Sequence, residues 1–312
     1  MRWLTYRSVR DSEFHAGLLV DQDVHGHPMV GSLLPLLGDL EGARTVVQDA
    51  PFEVVALAEA DVHAPIPVPP SIRDFMSFEA HVVTSMEASG ATVDPVWYEQ
   101  PVFYFTNPAA VRGPADPVAI SPGSEQYDYE LELAAVMGRE ISDATPAEAV
   151  AAVAGYLLLC DWSARDLQFR EMRQALGPAK GKDGATSFGP LLVTPDELGE
   201  RVGNGYDVAL TASVNGTAYS SGNWADLHWS FGQMIAYASR GTRLVPGDVI
   251  GSGTVGTGCI LELSRVHGSE RYPWLRPGDV VTLDAPPLGS ITATVEASAP
   301  APDWRAVVTV DA

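Results

Sequence analysis

In the segment YDYELELA, Glu130 and Glu132 lie two residues apart, and on an extended strand such a pair projects from one face. Two carboxylates side by side repel unless a cation or a shared proton offsets them. The alternative is a solvated strand face. Leu131, Leu133 and the following AAVM look core-bound, which weighs against solvation. Asp161 closes the apolar run GYLLLC. A carboxylate at the end of a buried strand is costly unless it is paired, caps a turn or binds a metal. Joined to the two glutamates, Asp161 would complete an all-oxygen site suited to Mg²⁺, with Mn²⁺ or Ca²⁺ as alternatives. No His or Cys pair with zinc-ligand spacing lies nearby.

Asp74 and His81 share the segment RDFMSFEAHV, with His81 seven residues beyond Asp74. A histidine acts as a general base only when a partner orients it, and otherwise is structural. Glu262, the polar member of an apolar GCILELS segment read as a strand, is the candidate partner. Lys182 lies in GPAKGKDGATSFGP, whose glycines and lack of periodicity predict a loop able to close over a ligand. It is either a solvated lysine or a cation facing an anion, and Lys180 nearby favours the latter.

The elements that must hold these residues follow from the pattern around them. WLTYRSV, HAGLLVD and PMVGSL read as short strands, followed by a short helix or two in SLLPLLGDLEGARTVVQDA. The proline-dense HAPIPVPPSIRD predicts an extended connector, and a boundary near residue 68 between a small N-terminal domain (1–68) and a larger one (69–312). In the larger part SFEAHVVTSMEAS has helical spacing, PVFYFTN reads as a strand and YDYELELAAVMG as a half-buried strand. Thr145, Pro146 and Glu148 mark a helix start, with the helix running to about Ala154 before the strand YLLLCDW. From Pro190 onward short strands dominate, CILELSRV among them, so the fold class is α+β and β-rich.

Composition narrows the function. Lys and Arg total 19 and Asp and Glu 40, a net charge of −21, which disfavours nucleic acid and anionic membranes as partners. No apolar run approaches the ~18 residues of a membrane span, and MRWLTYRSVRDSEF does not read as a secretory signal. Cys160 and Cys259 lack CxxC spacing and suit two buried thiols in a cytoplasmic protein.

The blocks DFMSFEAH, YELELA, CDWSARDLQ, GKDGATSFGP and SGTVGTGCILEL, in this order and spacing, resemble the fumarylacetoacetate hydrolase family over about residues 70–290. The resemblance implies a mixed β-sandwich or β-roll behind a small leading domain, a homodimer and a divalent metal held by carboxylates. It puts Glu130, Glu132 and Asp161 on the metal ligands and Asp74 on a fourth carboxylate. His81 falls on the general base and Glu262 on the carboxylate orienting it. Arg165, Gln168 and Lys182 fall on groups that bind substrate or stabilise its developing charge, and Tyr104 and Thr254 on substrate contacts. The implied chemistry is hydrolysis of a C–C bond in a 1,3-diketone or acylpyruvate-like acid. Decarboxylation, isomerisation or hydration of a 2-oxo acid is the alternative. Two tyrosines of fumarylacetoacetases are replaced by Met76 and Met172, and the position of an arginine is Gly90, between Ser89 and Ala91. The methionines imply a roomier, more apolar substrate end than fumarylacetoacetate requires.

Overall fold

A computed structural model describes residues 1–87, 90–301, 303 and 305, so Ser89 lies outside the described residues. The YDYELEL alternation becomes strand Tyr127–Asp128 and then strand Leu131–Met137, every residue of which is buried. The half-buried strand expected there is thus covered on both faces. It runs mid-sheet, antiparallel to Val153–Asp161 on one side and to Val249–Gly251 on the other. Leu131, Leu133, Ala135 and Met137 enter one core cluster, while Ala134 and Val136 enter a second.

Period 2 then explains where the carboxylates go. Ile72, Ala134, Val136, Leu157 and Leu159 all belong to the second cluster. Asp74, Glu132 and Asp161 each lie one step of two residues beyond a member of that row, on the same side of the sheet. Val153–Asp161, Leu131–Met137 and Ile72–Phe75, the last separated from the second by Val249–Gly251, therefore bring three acids to one end of an apolar face. Asp74 reaches this end because Ile72–Phe75 runs parallel to Val249–Gly251, with Asp74 opposite Gly251. Phe103–Thr106 follows outside it and sets Tyr104 opposite Asp74.

Among the described residues, thirteen strands form this main sheet, and residues 1–68 are part of it. Strand Arg2–Arg7 pairs with Leu192–Val193, Arg2 opposite Val193. Trp3, Leu18 and Leu33 share the second cluster with Leu157 and Phe188. The proline-rich connector near residue 68 thus joins segments that share one sheet and one core cluster. A five-stranded sheet, from Thr217–Asn223 through Ala209–Val214, Val280–Ala285 and Gly289–Glu296 to Val118–Ala119, buries Leu210, Leu283 and Ile291 in the first cluster. The mixed, β-rich architecture expected from sequence is what forms.

The helices are α1 (Leu40–Asp49), α2 (Glu79–Glu87), α3 (Pro146–Ala151), α4 (Arg165–Met172), α5 (Phe231–Ala238) and α6 (Ile260–His267). The Thr145–Glu148 capping box starts α3 as expected, but the helix ends at Ala151 instead of Ala154. Val153 is drawn into the strand, where it pairs with Met137. A larger correction concerns CILELSRV, which is helix α6 and not a strand. A short apolar run fits either period. Here the whole first turn is buried, Ile260, Leu261, Glu262 and Leu263 alike, and the turn after it is largely exposed.

Candidate active site

Asp74, Glu132 and Asp161 are all buried and offer oxygens that lie within 4.8 Å of one another. A glycine makes this convergence possible: a Cβ at Gly251 would lie 2.2 Å from Asp74 Oδ1. Gly253, held at φ +77°, turns its N–H inward to Asp74 Oδ1 (3.2 Å) and Glu132 Oε2 (3.1 Å). Thr254 Oγ1 donates to Glu132 Oε1 at 3.3 Å. Tyr104 donates its hydroxyl to Asp161 Oδ2 (2.5 Å) and also lies 3.3 Å from Asp74 Oδ2.

Glu130 stands apart from this trio. Arg165 Nη1 holds its Oε1 at 2.7 Å and Lys182 Nζ its Oε2 at 2.5 Å. Lys182 Nζ also lies 2.5 Å from Asp161 Oδ2, so one ammonium bridges the pair and the trio. The lysine drawn from a glycine loop is therefore buried, in a short 3₁₀ turn (Lys180–Lys182), and faces carboxylates. A surface pocket of about 350 Å³ opens beside it, lined also by Phe105, Asn107, Pro178 and Lys180. Gln168 Oε1 accepts from Arg165 Nη1 at 3.2 Å.

The electrostatics follow from burial. Desolvation raises the Asp74 pKa to about 6 and that of Asp161 to about 7, with Lys182 opposing both shifts. Glu132 is pushed well above the usual carboxylate range by burial and by the neighbouring Asp74, Glu130 and Asp161. Asp74 and Glu132 share a hydrogen bond, so a proton does part of the work of a cation. Glu130 goes the other way: burial favours its neutral form, but Arg165, Lys182 and His81 outweigh burial and lower its pKa.

These residues fit a divalent metal. The donors are oxygens only, and Asp161 Oδ1 is buried with no hydrogen-bond partner among the described residues. An acceptor so placed is costly unless something electropositive faces it.

His81, in the first turn of α2, places Nδ1 2.9 Å from Glu262 Oε2 on α6. A carboxylate only accepts, so the Nδ1 proton is donated and Nε2 carries the lone pair. Cys259 Sγ lies 3.7 Å from the same oxygen, and both cysteines are free and buried. Met76 is half-buried, its carbonyl accepting from Trp97 Nε1. Met172 is 51% exposed at the end of α4.

Asp128 escaped the sequence reading. It is fully buried and binds Arg165 through both Nε and Nη2, at 2.8 Å each. The signal was present: Asp128, Glu130 and Glu132 continue one period-2 row.

Fold and site together define a β-rich protein that gathers buried carboxylates beside a histidine–glutamate pair. Residues 71–296 match the model of the fumarylacetoacetate (FAA) hydrolase C-terminal domain, and the chain belongs to that family. It is 33% identical over 209 residues to a 2,4-didehydro-3-deoxy-L-rhamnonate hydrolase of Sphingomonas sp., covering 66% of each chain. It is 32% identical over 156 residues to a human mitochondrial oxaloacetate tautomerase, covering 50% of this chain and 48% of that one. The matches thus span about two thirds and about half of these relatives. The fold is that of a maleylpyruvate hydrolase from Sphingobium sp. SYK-6, solved with manganese(II) and pyruvate. There the TM-score is 0.71 at 22% identity, covering 96% of this chain and all of that one. No helix among the described residues is long and apolar enough to cross a membrane.

Proposed function

We propose that the protein is a metal-dependent hydrolase that cleaves a C–C bond in a 1,3-diketone or acylpyruvate-like acid. The observation that carries this reading is the His81–Glu262 pair, a base already oriented and near enough to Glu130 for its charge to act on that carboxylate. A divalent metal, Mg²⁺ or alternatively Mn²⁺ or Ca²⁺, would be held by Asp74, Glu132 and Asp161, with Glu130 next to them, and would polarise the substrate carbonyl as a Lewis acid.

The chain's own residues do the rest. His81 Nε2 takes a proton from water, and Glu262 stabilises the resulting imidazolium. The hydroxide adds to the carbonyl carbon. Collapse of the tetrahedral adduct breaks the C–C bond and leaves the electron pair on an enolate. His81 returns its proton to the enolate carbon, so each turnover consumes one water. Lys182, Arg165 and Gln168 supply donors where oxyanion charge develops, and Tyr104 and Thr254 contact the substrate end of the site. Burial holds Lys182 and Arg165 in place before substrate arrives. Met76 and Met172 favour a substrate with a less polar tail than fumarylacetoacetate.

A second reading keeps the site and changes the reaction to proton shuttling in a 2-oxo acid. Similarity to an oxaloacetate tautomerase favours it. The test is turnover of acylpyruvates and of oxaloacetate in H₂¹⁸O with Mg²⁺ or Mn²⁺, with products identified by mass spectrometry. Hydrolysis gives two fragments, one carrying ¹⁸O in its new carboxylate. Interconversion of keto and enol forms without fragments would replace the hydrolase reading with the tautomerase one.

A further inference from the structure

Asp128 joins the two halves of the site, and nothing in the chemistry above uses it. Its side chain is fully buried and makes four contacts. Arg165 Nε and Nη2 approach Oδ2 at 2.8 Å each. Ile260 N–H donates to Oδ1 at 2.7 Å and Leu261 N–H to Oδ2 at 3.0 Å. The two amides belong to the first turn of α6, the turn that carries Glu262. Arg165 in turn holds Glu130 and Gln168.

This is a costly way to cap a helix. A short polar residue at the N-cap would satisfy the Leu261 amide locally, though not that of Ile260. The N-cap here is Cys259, whose side chain makes no capping bond. A carboxylate from a distant strand is buried instead, and burial of a charge is costly until its partners offset it. The remote cap does what a local one cannot: it fixes the α6 terminus relative to the guanidinium of Arg165. Glu262, one residue beyond Leu261, inherits that position, and through it so does His81.

We infer that Asp128 is a positioning residue that sets the His81–Glu262 pair and the Arg165–Glu130 pair in register by anchoring the first turn of α6. Its kinetic consequence rests on the proposed reaction, whereas its structural consequence does not.

The test is Asp128→Asn in the full-length protein, read three ways. Where the wild type turns over an acylpyruvate, kcat should fall about 10–100-fold, as for other residues that orient catalytic groups, while KM stays within about threefold. The downfield proton NMR signal of His81 Nδ1–H should shift or broaden. Amide exchange at Ile260 and Leu261 should speed up. If Asp128 only stabilises the fold, melting temperature drops while kcat per folded site and the Nδ1–H signal match wild type, and the inference is overturned. If the wild type turns over none of the acids tried, the functional reading fails alone, and the NMR and exchange readouts still decide. Asp128→Ser, smaller and uncharged, serves if the asparagine variant does not fold. Failure of both to fold assigns Asp128 to the folding core and overturns the positioning role.

Discussion

If Asp74, Glu132 and Asp161 hold the metal, its affinity must climb steeply with pH. The pKa values are about 6 for Asp74 and about 7 for Asp161, raised above the ordinary carboxylate range chiefly by burial. Both acids must be ionised to serve as ligands. At pH 8 Asp74 is ionised and Asp161 is about nine-tenths ionised; at pH 6 the fractions are about one half and one tenth. The proton competition then weakens binding by about 20-fold, or about 2 kcal/mol, between pH 8 and pH 6. Glu132 is shifted in the same direction, so 20-fold is a lower bound. The assay is calorimetric titration of metal-free protein with Mn²⁺ at pH 6, 7 and 8, in buffers of differing ionisation enthalpy. Proton release at pH 6 should exceed one per metal bound. Asp161→Asn should weaken binding and flatten the slope, because it removes a carboxyl whose pKa of about 7 lies inside this range. Affinity that is level across this range, or that rises toward acid, would refute the reasoning.

Stability of the metal-free protein should run the other way. The folded pKa values of Asp74 and Asp161 lie above the unfolded ones, so the folded state keeps protons that the unfolded chain releases. Their contribution is fully present below about pH 4 and is lost as pH rises through about 6 to 7. Thermal melts of metal-free protein should show this, with Mn²⁺ restoring more stability at pH 8 than at pH 6. His81→Ala should lower kcat by about 10²–10⁴-fold and leave Mn²⁺ affinity unchanged, whereas Glu262→Gln should cost less; near wild-type kcat in His81→Ala would remove the base from the mechanism. Lys182→Met strips the cation from two buried carboxylates and should destabilise metal-free protein by about 3–5 kcal/mol in denaturant titrations, with Mn²⁺ recovering part of the loss. Gly253→Ala should cost upward of about 1 kcal/mol and weaken metal binding, because φ is +77° there and a Cβ would meet the Phe75 carbonyl at 2.3 Å; wild-type melting and metal affinity in that variant would count against the strained inward N–H.

What the sequence by itself determined was chiefly local. The spacing of Glu130 and Glu132, the acid closing GYLLLC and the capping box at Thr145 depend on neighbours two to four residues away. Such neighbours are legible in a linear chain. The block order was enough to mark the family, which the match over residues 71–296 establishes. The tertiary structure decided the rest. GCILELS suits a strand or a helix by its pattern, and Asp128, from another strand, meets the two amides that open the helix. Glu130 and Glu132 look equivalent in sequence, yet Glu132 lies against Asp74 and Asp161 while Glu130 lies between Arg165 and Lys182. Lys182 in its glycine loop reads as either solvated or anion-facing, and local pattern does not decide between them. Its burial against acids 52 and 21 residues away is a long-range fact. Charge partnership depends on distance in space, which strand register sets and residue spacing along a loop does not.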